Sequence, residues 1–427
     1  MRVFDCLKSI PLKSSDFYLK IIAFTYFIAI FSFLFFQNFV LTDNFEILNL
    51  RSSDAFGFHV ELQKLHQYLC HGEFKKILKE SYFYGYGFIF WIFLALATLP
   101  FYLFGTEQEI IITTFEICLI FQMLCVIILY KISALYTKNE KVKLFICFLT
   151  SLFGVFAFFG LSFYTITPLA FFELLTFYFA ARIENLPTKK DLILVALAFA
   201  TAVGIKITGL LIAPLICLIL LDRYKWNFNK KNLIDAAFFT AIFIAASLIF
   251  FHPYGDYKNV IKTISAYSNM TTSSSGDIKN DSLLYMFNEG IVKNILPLAS
   301  LIMMSGLFIF RIFLDLKHQR NRRFDFLFII ANSLFAAIFC LLVIKRSPLI
   351  ISNYLFGFAF LFLLSLTALE YYKKYKPLQK IAVATSLAII LISIYCRGDI
   401  LNSYNYIYHL ENENKNKLTE ISEIKVS

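Results

Sequence analysis

Long uninterrupted apolar runs, separated by short polar connectors that carry lysine and arginine, fill most of the chain. They fall at 21–41, 108–130, 144–163, 169–181, 192–204, 207–221, 233–251, 291–310, 325–344, 350–369 and 381–396. The longer runs match the roughly 20 residues that a helix needs to cross a hydrocarbon core. The shorter ones between 169 and 221 have the least defined edges. The pattern therefore predicts an all-α polytopic membrane protein with about 11 transmembrane helices. A twelfth apolar run, 86–104, fits either a crossing or a helix lying in the interface. Between the first two crossings the period changes. Phe58, Leu62, Leu65 and Leu69 recur at i, i+4, i+7 and i+11, one face of an amphipathic helix.

Composition agrees with that reading. Of 427 residues 59% are hydrophobic and 16% charged, with a mean hydropathy of +0.68, well above the ~45–50% apolar share of a soluble domain. A soluble fold is excluded. No segment reads as nucleic-acid-binding, and the net charge of +11 fits basic loops on one side of a membrane. Cys118, Cys125, Cys147, Cys217 and Cys340 sit inside apolar runs without metal-ligand spacing. Cys70 and Cys396 both fall on the expected outer side, where an oxidised pair is conceivable.

The basic residues set the orientation. If 86–104 does not cross, six short loops hold 24 of the 40 Lys and Arg, among them Lys131 to Lys143, Arg182 to Lys190 and Arg223 to Lys231. By the positive-inside rule these loops and the N-terminus are cytoplasmic, and 86–104 is interfacial or re-entrant. Segment 1–41 reads as a retained first helix rather than a cleaved signal. Residues 1–396 then form one transmembrane domain, with outer loops at 42–107 and 252–290 and a short outer tail at 397–427. No repeat of fixed period is visible.

Chemistry is expected in the outer loops. Arg51-Ser52-Ser53-Asp54 is a helix start. Asp54 at that end is favoured in its ionised form by the helix dipole, as a general base requires, although a plain helix cap explains it as well. Gly72 breaks the helix, and Ser81 to Trp91 follow with dense aromatics, including Tyr82, Tyr84 and Tyr86. Such a segment suits a membrane-interface belt or the faces of sugars. Then comes an apolar helix ending at Phe104-Gly105.

This order resembles the GT-C glycosyltransferases, in the branch that includes the protein O-mannosyltransferases and the aminoarabinose transferase of lipid A. In that family a first helix leads to an outer loop with an acidic start, a helix, a glycine, an aromatic segment and an interfacial helix ending in Phe-Gly. Here these are Asp54, the 55–69 helix, Gly72, Tyr82 to Trp91, and Phe104-Gly105. Ala202 to Leu211, with Lys206 and Gly209, is similar to the family's helical hairpin around a Lys-x-x-Gly turn. His252-Pro253-Tyr254 is similar to its Asn-Pro-aromatic loop start, and Asn353-Tyr354-Leu355 to its Arg-Tyr-Leu stretch. The likeness covers most of residues 20–370. The chain departs from the pattern where Asp54 is followed by Ala55 instead of a second acid. It departs again in the second outer loop, where Thr167 stands at the place of an aspartate, with Glu173 about a turn deeper.

The resemblance implies a donor sugar on a polyprenyl phosphate, transferred to a lipid, glycan or protein acceptor on the outer face. Such chemistry requires a base for the acceptor hydroxyl, cations for the leaving phosphate and an apolar groove for the lipid. Asp54 is the expected base, and one displacement opposite a leaving phosphate implies inversion. Lys206, Lys345 and Arg346 are the expected phosphate ligands. Lys206 sits in an apolar hairpin where an ammonium marks a polar cavity or snorkels to the interface. Arg346 adds a bidentate fork, although a merely solvated Lys345-Arg346 pair has the same sequence. Tyr84, Tyr86, Glu61, His252 and Tyr254 are the expected substrate contacts. Some family members use a divalent ion, but His59, His66 and His71 lack a tight ligand spacing, and no metal site or other cofactor is expected. The Ser/Thr-rich stretch 267–281 is the most flexible-looking loop. High Phe and Lys usage points to an AT-rich bacterial genome, hence an inner-membrane location with the site facing the periplasm.

Two other classes compete. A lipid or polysaccharide transporter or flippase would place broken helices and paired charges at the midplane, whereas here the unusual polar residues cluster at the outer helix ends. A structural membrane subunit would not need an outer loop with an acidic start and an aromatic centre.

Overall fold

The computed structural model describes residues 53–80, 86–136, 165–183 and 186–253, together with positions 20, 21, 24, 28, 140, 143, 144, 147, 257 and 261. Most of the runs at 21–41 and 144–163, and all of those beyond residue 261, lie outside the described residues. So do Tyr84, Tyr254, Lys345, Arg346, Cys396 and the stretch 267–281. Among the described residues the secondary structure is helical, interrupted by one isolated β-bridge. In chain order the helices are α1 (Ser53–Cys70), α2 (Phe74–Glu80), α3 (Phe88–Phe104), α4 (Glu107–Tyr136) and α5 (Ile166–Ala181). They continue with α6 (Lys189–Ile205), a 3-10 turn (Ile207–Ile212), α7 (Ala213–Arg223) and α8 (Lys230–Phe251). Two of them, α4 through Glu107–Leu135 and α8, are long and apolar enough to cross a membrane.

Local chemistry fixes the helix ends. α1 closes as the sequence anticipates: Gly72 takes φ +68, its N–H reaches the Leu69 carbonyl at 3.2 Å, and the Glu73 N–H reaches Tyr68 at 2.8 Å. That is a Schellman closure with glycine at the left-handed position. α4 opens with a reciprocal cap. Thr106 donates its N–H to Glu109 Oε2 at 2.7 Å, and its hydroxyl accepts from the Glu109 N–H at 3.3 Å. α6 repeats the device with Thr188 and Asp191, and the Asn229 side chain caps α8 by accepting from the Asn232 N–H at 2.9 Å.

α6 is the central helix, packed between α5 and α8. Small residues suit it to that place: Ala196, Ala198, Ala200, Ala202 and Gly204 are buried along it, letting neighbouring backbones approach. Phe199 of α6 stacks on Phe243 of α8 at 4.4 Å between centroids. The two helices run parallel. Lys189 at the start of α6 bonds Asp235 near the start of α8, while Gly204 at the end of α6 lies against Phe250 at the end of α8.

The other elements close the bundle. α5 also packs on α4, and α3 touches α1, α4, α6 and α8. The periodic face of α1 is buried as expected at Phe58, Leu62 and Leu65, with Leu69 partly covered. It lies against α3: Phe58 meets Trp91 edge-on at 5.4 Å. The apolar face that the period predicts is covered by protein. Two helices join around the turn after residue 204, as the sequence suggests. The 3-10 turn sets the returning α7 against α5.

Candidate functional site

Two stretches that the sequence treats separately meet at one point. The aromatic segment ends in Tyr86-Gly87, and the α6 turn is Gly204-Ile205-Lys206. Tyr86 and Lys206 form an antiparallel β-bridge, and the Gly87 N–H donates to the Ile205 carbonyl at 3.1 Å. Lys206 is extended there, at φ −153 and ψ 136, which ends the helix and frees a backbone edge for the bridge. Two glycines make the approach feasible. A Cβ on Gly87 would lie 2.2 Å from the Gly204 carbonyl oxygen and 2.7 Å from the Phe251 ring, and one on Gly204 would lie 2.5 Å from Phe250 Cβ. A third glycine, Gly209, folds the 3-10 turn back onto α6, where a Cβ would sit 2.7 Å from the Ala202 carbonyl carbon.

Lys206 is buried at 9% exposure. Its ammonium lies over the Tyr86 ring at 4.7 Å from the centroid, and it acts electrostatically on the buried carboxyl of Glu173 in α5. Beside Glu173, the Cys125 thiol of α4 reaches the Thr167 carbonyl at 3.5 Å. The Thr165 and Thr167 hydroxyls are fully buried and lack a hydrogen-bond partner among the described residues. The Thr208 hydroxyl, two residues after Lys206, is in the same state. A cation and several unsatisfied hydroxyls thus occupy the start of α5 and the end of α6, with the Glu173 carboxyl midway along α5, in surroundings that are otherwise apolar.

α1 is tied to the same region. Phe58 contacts Tyr86 edge-on at 4.9 Å between centroids. Tyr86 therefore bridges α1 to Lys206, with its ring occupied from two sides, so it packs here where the sequence predicted a sugar contact. Of Asp54 the backbone alone is described, within α1 and one turn before Phe58, about 6 Å along the axis at 1.5 Å per residue. Glu61 points its carboxylate to Lys64, its neighbour three residues on, at 2.8 Å. That is an exposed pair of the kind that contributes little.

The histidines of α1 are engaged in packing. His59 Nε2 is 2.6 Å from Glu107 Oε1, and Gln63 Nε2 donates to the same oxygen at 2.7 Å. His66 Nε2 lies 2.9 Å from the Thr98 hydroxyl and 3.2 Å from the Ala95 carbonyl. Among the described residues no group of three or more His, Cys, Asp or Glu could hold a metal ion. His252 is buried just past α8, its N–H donating to Leu248 at 3.0 Å. The Tyr257 hydroxyl is placed to donate to the carbonyls of Leu248 and His252 at 2.9 and 3.0 Å. Because Phe251 abuts Gly87, His252 stands one residue from the meeting point.

Sequence reasoning singled out Lys206, His252 and Tyr86 and missed what joins them. It also missed Glu107 as the partner of His59. An acid in the first turn after Phe104-Gly105 was the available signal, since a carboxylate at a helix start is well placed to accept from an incoming side chain.

The opposite end of the bundle is basic. Lys189 donates to Asp235 Oδ1 at 2.6 Å, Tyr224 donates to Oδ2 at 3.3 Å, and Arg223 donates to the Ala181 carbonyl at 3.1 Å. Burial first, and then the Asp235 charge, pushes the Tyr224 hydroxyl up to about 12.

No protein-family model matches the chain, and no curated protein matches it.

Proposed function

We propose that the chain is an integral membrane glycosyltransferase of the GT-C type, with about 11 crossings and its site on the outer face of a bacterial inner membrane. It moves a sugar from a polyprenyl-phosphate donor to a lipid, glycan or protein acceptor, with inversion. One observation carries the reading. Tyr86-Gly87 of the aromatic segment is clipped to the Lys206 turn, so two widely spaced stations of the family's order come together in space, with Phe58 of α1 against the Tyr86 ring and Asp54 one helical turn before Phe58.

In this reading Asp54 takes the proton of the acceptor hydroxyl as that oxygen bonds to the anomeric carbon. The bond from that carbon to the phosphate oxygen breaks on the opposite face, and the leaving polyprenyl phosphate keeps the electron pair. Lys206 holds the phosphate, with Lys345 and Arg346 as further cations. A magnitude decides whether Lys206 can leave Tyr86. A cation–π contact is worth up to about 2 kcal/mol when desolvated. Two unit charges 4 Å apart attract by roughly 4 kcal/mol at an effective dielectric constant of 20. On that scale the ring alone would not hold the ammonium against a phosphate at contact distance. Tyr84, Tyr254 and His252 complete the sugar side of the proposal.

Kinetics with a labelled donor test these roles. Lys206→Ala should raise the KM for the polyprenyl-phosphate sugar tenfold or more on the same electrostatic scale, with the acceptor KM little changed. Unaltered donor KM would remove Lys206 from the phosphate site. The transporter reading rests on Glu173 and Lys206, an acid and a base buried among apolar helices. It predicts movement of an intact lipid-linked sugar across the bilayer with no bond broken.

A further inference from the structure

At the basic end, the turn between α7 and α8 has features that neither packing nor the proposed chemistry uses. α7 ends in the same Schellman geometry as α1: the Lys225 N–H donates to Asp222 at 2.9 Å and the Trp226 N–H to Leu221 at 3.0 Å. In α1 the left-handed position is Gly72, whereas here it is Lys225 at φ 52, followed by Trp226 at φ 55. Consecutive non-glycine residues in that region are strained. The turn is braced all the same, since the Asn227 N–H donates to Tyr224 at 3.0 Å and Asn232 Nδ2 donates to the Asn227 carbonyl at 2.7 Å.

The braced turn displays two aromatics and three lysines. Trp226 and Phe228 are 36% and 63% exposed, and Lys225, Lys230 and Lys231 are exposed around them. None of the three lysines forms an ion pair among the described residues. Asp235, the acid of α8, is engaged elsewhere, because it is buried and holds Lys189 and Tyr224. Segment 222–231 carries Arg223 and these three lysines against Asp222 alone, four basic residues less one acidic, or +3. An aromatic pair with a surplus of cations fits the level where acyl chains meet acidic headgroups: rings take the interface, and ammonium groups take the phosphates.

We propose that the Tyr224–Asn229 turn, with Lys230 and Lys231, is a preformed docking surface for the headgroups of anionic phospholipid, which anchors this end of the bundle at the membrane surface. Each lysine near such a surface enriches acidic lipid on the order of fivefold. The inference needs no assumption about sugar transfer.

The chain carries two tryptophans, and Trp91 is buried at 1% exposure, so Trp226 is a usable reporter. The purified full chain is placed in nanodiscs containing brominated phosphatidylglycerol or, at equal mole fraction, brominated phosphatidylcholine. Trp226 quenching is the difference between the native chain and Trp226→Phe. The proposal expects brominated phosphatidylglycerol to quench Trp226 several times more strongly. It expects the preference to vanish in Lys225→Gln/Lys230→Gln/Lys231→Gln, while quenching by phosphatidylcholine persists. Equal quenching by the two lipids in the native chain would overturn it. So would an unchanged preference in the triple variant, or quenching by neither lipid, which would place the turn away from the bilayer and leave a protein or nucleic-acid partner as the occupant. Sugar-transfer activity does not enter the readout, so its loss or presence is scored separately.

Discussion

Gly87 and Gly204 hold the meeting point through what they lack. Where a Cβ would lie 2.2 Å from a backbone oxygen, the neighbour has no flexible end to move aside, and the bridge between Tyr86 and Lys206 must open. Gly87→Ala should therefore lower stability by about 1–3 kcal/mol. Gly72→Ala, in open space but at φ +68, should cost only about 1 kcal/mol from backbone strain. Thermal unfolding of the detergent-purified variants checks this pair, and equal losses would contradict the close approach. The Lys206 ammonium rests over the Tyr86 ring, a contact worth up to about 2 kcal/mol when desolvated.

Between elements, α1 is clasped to the start of α4 by His59 and Gln63 on Glu107. Hydrogen bonds to a charged acceptor are worth about 1.5–3 kcal/mol each when shielded. The Glu107 side chain is 34% exposed, so a total nearer 1–2 kcal/mol is expected after screening. In Glu107→Ala, amide hydrogen exchange should quicken across Ser53–Cys70 and stay unchanged in Lys230–Phe251; uniform change in both would deny the clasp. Much at this level is legible from sequence. The period of Phe58, Leu62 and Leu65 gave α1 its buried face, and Gly72 and Gly105 marked the helix ends. Long-range pairing is what periodicity cannot carry. Nothing local tells that Gly87 meets Gly204, that His59 meets Glu107, or that the 3-10 turn sends α7 onto α5. These depend on which helix lies beside which.

For the whole molecule, the parallel run of α6 and α8 puts Lys189, Asp235, Tyr224 and Arg223 at one end and Lys206, Phe251 and His252 at the other. Proposed as cytoplasmic and outer faces, the two ends make a sidedness prediction. With the eight native cysteines replaced, Thr106→Cys should react with a membrane-impermeant maleimide in intact cells, and Lys190→Cys only after permeabilisation. The reverse result would invert the topology and remove the outer site. The central claim is that the region where the aromatic segment meets Lys206 hands a sugar from polyprenyl phosphate to an acceptor oxygen, with Asp54 as base. Purified protein incubated with labelled polyprenyl-phosphate sugars and membrane acceptors tests it directly. The native chain should move label, while Asp54→Asn, folded to the same melting temperature, should move none. Transfer at the native rate by Asp54→Asn, or no transfer by the native chain with any such donor, would contradict the account.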